Sequence, residues 1–170
     1  MIPPYLLFSP FAWMDWLLGL APPAVSPASV QDAEQLAALH AAAFGRGWSA
    51  EEFERLLIER NVVADRAVSG SRLAGFVISR IAADQAEILS IAVAAPHRRH
   101  GLARRLLDVH MRRLVAYGIT SLFLEVDEHN VAARRLYAGF GFGEVGRRES
   151  YYAESGENAG AALVLRRNLA

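Results

Sequence analysis

A strand–helix–strand unit in the middle of the chain is the feature that most constrains the fold. An apolar run from Ala86 to Ala94 is long enough for a buried strand and stops before Pro96. An amphipathic helix is predicted over about Gly101–Tyr117, where Gly118 ends it, and a second strand over Thr120–Val126. Parallel strands need a crossover connection of this kind, so the unit predicts a parallel crossover near the middle of a sheet.

The segments on either side add strands and three further helices. Ser29 is a candidate N-cap for the first helix, a capping box at residues 49–52 opens the second, and Asn130 caps the last. The helices are predicted over about 31–43, 49–60 and 130–138, and the remaining strands over 62–68, 73–81, 142–152 and 161–167. This order predicts an α/β (α+β) fold with a mixed sheet and no internal repeats.

A hydrophobic extension, residues 1–22, precedes the predicted single domain, residues 23–170. The first thirty residues contain one charged side chain, Asp15, and no basic residue precedes Arg46, which argues against a secretory signal. Pro10 and Asp15 argue against a spanning helix. The favoured interpretation is a short helix over about Phe11–Leu20 packed on the domain or a partner, or a mis-assigned start; an interfacial membrane contact is the less favoured alternative. The prolines at positions 22, 23 and 27 are interpreted as a linker.

Charge and composition exclude several classes of function. Eighteen basic and eighteen acidic residues give a net charge of zero, which argues against a DNA-binding protein. All the basic residues are arginine, so Schiff-base chemistry and a Walker A lysine are excluded. The absence of cysteine excludes disulfides and thiolate catalysis and fits a cytoplasmic location. The five histidines lack ligand spacing, so no metal site is predicted.

The turn between the central strand and helix is a candidate anion site. It carries Arg98, Arg99 and Arg104 around the small residues Gly101 and Ala103. Free N–H groups and the positive dipole end at a helix start bind anions, and small residues let a diphosphate approach the backbone. Taken alone, the same residues also fit an ordinary helix start with solvated arginines.

Several motifs in order resemble one enzyme family. The pattern Arg98-x-x-Gly101-x-Ala103 resembles the Q/R-x-x-G-x-G/A acetyl-CoA signature of the GNAT acetyltransferases. The runs 91–93, 124–126 and 136–137, together with Asn130 and Gly141-Phe142, look like the RimI group of ribosomal-protein-alanine N-acetyltransferases. The resemblance covers about residues 24–167. It implies a GNAT fold of about seven strands and about four helices, in which a splayed parallel pair holds acetyl-CoA.

The resemblance also assigns roles. Glu125 matches the general base and Tyr137 the general acid of the family, although alone they would read as a surface carboxylate and a core aromatic. Asn130 matches a cofactor-contacting asparagine and also fits a plain N-cap. Trp48, Tyr151 and Tyr152 match residues around the incoming peptide. The complete set assigned to acetyl-CoA is Ile91, Ala92, Val93, Arg98, Arg99, His100, Gly101, Leu102, Ala103, Arg104 and Asn130.

The predicted function is therefore acetyl transfer from acetyl-CoA to the N-terminal α-amine of a protein, with an Ala-initiated ribosomal protein as the expected partner. A GNAT enzyme acting on a small-molecule amine or another protein amine is the alternative. From another class, six arginines within residues 98–113 leave an RNA-binding or non-catalytic interaction module open, against which the zero net charge argues. The G-x-G-x-x-G pattern at 141–146 follows a helix and opens a strand, which is the wrong context for a dinucleotide loop.

Overall fold

A seven-stranded mixed sheet forms the centre of the molecule. The computed structural model describes residues 22–45, 47–148 and 161–169. Within these residues the strand order is β1-β2-β3-β4-β5-β7-β6, and β4 and β5 form the one parallel pair. The predicted mixed sheet with a central parallel crossover is thereby confirmed. The strands are β1 Ala24–Pro27, β2 Val62–Ser69, β3 Arg72–Ala82, β4 Gln85–Val93, β5 Ser121–Asp127, β6 Gly143–Arg148 and β7 Ala162–Asn168.

Helices cover both faces of this sheet. They are α1 Ala33–Phe44, α2 Ala50–Ile58, α3 Leu102–Ala116 and α4 Val131–Ala138. The first two bury Leu36 and Phe53 against Phe76 on one face. On the other face α3 buries Leu106 and Leu114, and α4 contributes Tyr137 to the same core. Both faces of β4 are therefore covered, as expected for a strand of a parallel pair. None of the helices in the described ranges is long and apolar enough to span a membrane.

The chain around the first helix differs from the prediction. Ser29 opens a short 3-10 turn, Val30–Asp32, and α1 begins only at Ala33 with Asp32 as its N-cap. The Asp32 carboxylate accepts a hydrogen bond from the Ser29 N–H at 2.8 Å and forms an ion pair with Arg66 of β2. The Asp32 side chain is therefore directed toward Ser29 and Arg66, and α1 starts after this residue.

The linker prediction is wrong for residues 24–27. These residues form β1, which pairs antiparallel with β2 from Ala24↔Val68 to Pro27↔Asp65. A proline is tolerated there because β1 is an edge strand, whose outward N–H groups need no partner strand. Residues 1–21 lie outside the described residues, so the boundary at residue 22 stays a prediction. The strand predicted over 142–152 is β6, described as far as Arg148.

A fully buried polar chain ties α3 to the sheet. The His110 ring of α3 lies 2.7 Å from Asp65 Oδ2 through Nδ1 and 2.7 Å from Ser79 Oγ through Nε2. Arg113 Nη2 lies 2.8 Å from the second oxygen of Asp65. Asp65, Ser79 and His110 are all 0% exposed, so this Ser–His–Asp order has no access to substrate. We interpret it as a structural device that fixes α3, and hence its first turn, against β2 and β3.

Candidate active site

The parallel strands β4 and β5 separate halfway along their length. They pair with each other from Gln85↔Ser121 to Ile88↔Leu124. Beyond this point β4 continues to Val93 and β5 to Asp127, but the two strands no longer pair with each other. The outer neighbours follow the diverging strands, since β3 pairs with β4 as far as Val93 and β7 pairs with β5 as far as Asp127. A wedge-shaped gap therefore opens between two otherwise well-held strands.

A β-bulge lies at the point of separation. Ile78 pairs with Ser90 and Ser79 with Ile88, so Leu89 is an extra residue in β4 directly after its last pair with β5. A bulge bends its strand and increases the local twist, which accounts for the divergence. The sequence-based interpretation missed this bulge because a single apolar residue within an apolar strand gives no local signal.

The bulge leaves backbone groups of β4 free to face the gap. Ala94 N–H donates to Ala74 O of the β3 segment at 2.9 Å. Because hydrogen-bonded positions alternate in an antiparallel pair, Ala92 also bonds to β3, whereas Ile91 and Val93 present their N–H and C=O groups to the gap. The carbonyl of Val93 accepts a hydrogen bond from Arg98 Nε at 2.9 Å, in agreement with this alternation.

A cleft of about 530 Å³ extends from this gap to the start of α3. It brings together nine of the eleven residues that the resemblance assigned to acetyl-CoA, while His100 and Asn130 do not line it. Tyr137 lies in the same wall. The other lining residues are Ala43, Phe44, His97, Ala132, Ala133, Arg135 and Leu136.

The first turn of α3 supplies unpaired N–H groups to the cleft. Gly101 precedes the helix with φ +78°, and Arg99 also has a positive φ of 64°. Arg105 N–H donates to Gly101 O and is the first paired donor of the helix, so the N–H groups of residues 102–104, which come before it, have no acceptor within the helix. Together with the positive end of the helix dipole they fit a diphosphate. The φ of +78° calls for glycine at position 101, because L side chains rarely adopt this conformation even though a Cβ there would meet nothing within 4 Å.

Two of the predicted arginines are held by protein contacts. Arg98 is fixed to the end of β4 by its bond to Val93 O, and Arg104 lies over the Phe140 ring with its guanidinium carbon 5.0 Å from the ring centroid. Their stems are thereby oriented before a ligand arrives. We expect Arg98 to anchor the turn as well as to add positive charge.

Asn130 has the capping role that the sequence left open. Its Oδ1 accepts a hydrogen bond from Ala133 N–H at 3.0 Å at the start of α4. The helix that carries Tyr137 is therefore oriented from its first residue.

Replacing Asn130 separates its capping role from the predicted cofactor contact. Asn130→Ala is expected to lower the free energy of unfolding by about 1 kcal/mol, and Asn130→Ser to restore most of this loss because serine also caps. Both variants should raise the KM for acetyl-CoA, since neither has the amide group. Thermal unfolding and steady-state kinetics measure the two effects; a KM restored by serine would leave capping as the sole role.

Tyr137 is buried in the core that packs against α3. Its side chain is 4% exposed, and its ring lies 5.6 Å from that of Phe142. Burial raises the pKa of Tyr137 to about 12, because the phenolate is poorly solvated there. The hydroxyl is therefore protonated at neutral pH, as a proton donor must be.

Glu125 approaches the gap from the other face of the sheet. It is the first residue of β5 beyond the last pair with β4, and it alternates with the buried Leu124, which faces α3 and α4. Its carboxylate lines a second cleft, of about 320 Å³, and its Oε1 lies 3.1 Å from Arg148 Nη1. The structure thus places the two predicted proton-transfer residues on opposite faces of the splay.

Trp48 is positioned by a histidine whose role the sequence does not reveal. Trp48 N–H donates to His40 Nδ1 at 3.1 Å, and the two rings stack 4.6 Å apart at 16°. Burial lowers the pKa of His40, which keeps this nitrogen free to accept. Trp48 lines a third cleft with Leu89 and Arg80, on the same face of the sheet as Glu125. Tyr151 and Tyr152 lie outside the described residues.

The acetyltransferase (GNAT) family matches residues 33–142, which is more than half of the chain. The chain belongs to this family, and it is an acetyl-CoA-dependent N-acetyltransferase. Within the described residues no group of three or more His, Asp or Glu side chains could hold a metal ion.

Individual relatives agree with the resemblance to the RimI group. The ribosomal protein bS18-alanine N-acetyltransferase of Escherichia coli (strain K12) is 35% identical over 105 residues, 62% of this chain and 70% of the relative. The crystal structure of an E. coli ribosomal-protein-S18-alanine N-acetyltransferase matches with a TM-score of 0.80 and 26% identity, over 86% of this chain and 94% of that one. Arabidopsis thaliana NAA60 in complex with acetyl-CoA shares the fold, with a TM-score of 0.74 and 22% identity over 85% of this chain and 97% of that one.

Proposed function

We propose that the protein acetylates the N-terminal α-amine of a protein, and that an Ala-initiated ribosomal protein is its first candidate substrate. The placement of Glu125 and Tyr137 on opposite faces of the β4–β5 splay carries this proposal. A base and an acid on the two sides of one gap suit a direct transfer between two substrates that meet there. The similarity to bS18-alanine N-acetyltransferases supports the choice of acceptor.

The cleft residues would hold acetyl-CoA in a defined order. The free backbone groups of Ile91 and the N–H of Val93 suit its amide-containing arm, and the N–H groups of residues 102–104 with Arg99 suit its diphosphate. A backbone N–H in the gap would also stabilise negative charge on the carbonyl oxygen. When bound, acetyl-CoA supplies the acetyl group as a thioester whose C–S bond breaks as the N–C bond forms. The amide of Asn130 and the residue His100 remain predicted contacts of acetyl-CoA.

Proton transfers complete the reaction. An α-amine with a pKa of about 8 arrives mostly protonated at neutral pH and attacks only when neutral. Glu125 would accept the proton of the α-ammonium, directly or through water, and pass it to solvent, and the second proton that the nitrogen loses as the N–C bond forms would leave by the same route. The Tyr137 hydroxyl would donate a proton to the departing CoA sulfur and regain one from solvent. No enzyme nucleophile is needed, in agreement with a chain that has no cysteine.

Fewer observations support the proposed binding site for the acceptor peptide. Trp48 and the cleft beneath it lie on the Glu125 face, and Tyr151 and Tyr152 would border the peptide from the segment before β7. We further propose that residues 23–170 form the single catalytic domain, that residues 1–22 are an accessory extension, and that the enzyme acts in the cytoplasm.

Glu125→Gln is expected to lower kcat/KM for an Ala-initiated peptide by about 10²-fold at neutral pH. Part of the loss should return as the pH rises through about 8, because more of the amine is then neutral without a base. Initial rates of CoA release across this range measure the effect. Glu144→Gln, an exposed carboxylate of β6, is the matched control and should behave like wild type. A loss of the same size at every pH would mean that Glu125 is structural and would contradict its role as base.

A further inference from the structure

Arg148 is bound to the proposed base although it comes from a different part of the sheet. Glu125 of β5 pairs with Val164 of β7, and Val164 pairs with Gly146 of β6. Arg148 lies two residues beyond Gly146 and hence on the same face, so its side chain reaches diagonally across β7 to place Nη1 3.1 Å from Glu125 Oε1. The pair is unequal, since the arginine side chain is 62% exposed and the glutamate 24%.

Other charged groups on this face have different partners. Arg80 of β3 lines the same cleft but pairs with Glu59 at 3.2 Å. Arg166 of β7 donates to Ser121 Oγ at 3.0 Å. Glu87 of β4 is the other acidic residue in the lining and adds negative charge. Arg148 is therefore the cation that neutralises Glu125 in this cleft among the described residues.

An ion pair with one highly exposed partner is weak. Such pairs contribute about 0–1 kcal/mol, because water screens the charges and a long side chain loses freedom. An incoming α-ammonium carries the same charge and also has N–H donors for a carboxylate. It can therefore replace the guanidinium at little cost, and the exposed arginine can swing into water.

We propose that Arg148 is a placeholder cation that occupies Glu125 until the α-ammonium group of the acceptor displaces it. The exchange makes Glu125 a binding group for a positively charged amine before it becomes the proton acceptor, and so favours acceptors that arrive as cations. Arg148 itself is a positioning residue, which leaves the carboxylate when the substrate binds. This inference rests on the proposed function, because it takes Glu125 as the base.

Removal of the Arg148 charge, which competes with the acceptor amine for Glu125, should strengthen acceptor binding. In Arg148→Gln, the Kd of an Ala-initiated peptide in the presence of CoA should fall by about two- to fivefold, and its KM should fall with it. Arg148→Lys, which keeps the charge, should remain near wild type, and the KM for acetyl-CoA should not change. Arg147→Gln is the matched control. Arg147 is next to Arg148 in β6, so the alternation of side chains along the strand places it on the other face, where it pairs with Glu128 at 2.5 Å. Calorimetry and steady-state kinetics supply the measurements.

The Glu125→Gln background separates the placeholder role of Arg148 from the role of Glu125 as base. There, Arg148→Gln should have no further effect on peptide affinity, because the group for which the cations compete is gone. An affinity that is unchanged or weaker in Arg148→Gln alone, or an equal gain in the Glu125→Gln background, would overturn the placeholder role and leave the base intact. A wild-type rate for Glu125→Gln itself would overturn both.

Discussion

Replacing Tyr137 with phenylalanine is expected to lower kcat by about 10²- to 10³-fold while the KM for acetyl-CoA stays near its wild-type value. The change removes one oxygen from a ring that is 4% exposed and packed 5.6 Å from Phe142. Phenylalanine keeps that packing, so α4 and the cleft wall should be preserved. What is lost is the proton that the departing sulfur would receive, a contribution made only as the C–S bond breaks.

The pH profile should distinguish this role from a general disturbance. A pKa of about 12 means that Tyr137 is protonated, and thus competent as an acid, at pH values well below 12. The alkaline limb of the wild-type rate below about pH 10 therefore comes from another group, and Tyr137→Phe should lower the whole profile without moving its limbs. Tyr117→Phe, at a tyrosine that is 61% exposed at the end of α3, is the control. A wild-type kcat for Tyr137→Phe would refute the acid role.

Replacing Asp65 with alanine is expected to lower the free energy of unfolding by about 3 to 5 kcal/mol. The carboxylate is 0% exposed and binds both His110 Nδ1 and Arg113 Nη2. Without it the His110 ring is left in the core without its acceptor, which costs far more than a lost surface contact. Because the Arg113 side chain is 22% exposed and reaches water, the loss should lie toward the lower end of that range.

Urea unfolding measures this loss directly. Asp108→Ala is the matched control, since Asp108 makes an exposed pair with Arg112 one turn away on the same helix, and it should change the stability by less than about 0.5 kcal/mol. A destabilisation of Asp65→Ala below about 1 kcal/mol would show that the buried chain contributes little and would remove it as the element that fixes α3.

The elements encoded by local signals are predictable from the sequence. The capping box appears as expected, with Glu52 N–H bound to Ser49 Oγ at 3.2 Å and Ser49 N–H to Glu52 Oε2 at 2.7 Å. The hairpin at residues 69–72 and the crossover through α3 also match. By contrast, β1 has four residues and ends at Pro27, and its strand character comes from pairing with β2 rather than from its own pattern.

In the candidate site, too, some features could be predicted from the sequence and others could not. The residues of the α3 turn and of β4 could be located from the motifs, and the structure gathers them around one cleft. The ion pair of Arg148 with Glu125 and the contact of Asp65 with His110, which lie 45 residues apart, depend on the register of distant strands and helices. The extra residue Leu89 is likewise fixed by pairing on both sides of β4. Such contacts produce no periodic pattern in the sequence.

The most direct test of the account is to locate the acetyl group on the product. The full-length protein is incubated with acetyl-CoA and, in separate reactions, an Ala-initiated peptide, the same peptide with a blocked α-amine and an internal lysine, and a polyamine. Fragmentation mass spectrometry then reports which nitrogen has gained an acetyl group. One acetyl group is expected on the α-amine of the first peptide, with at most slow reaction of the others. Acetylation confined to the lysine side chain or the polyamine would contradict α-amine acetylation as the function.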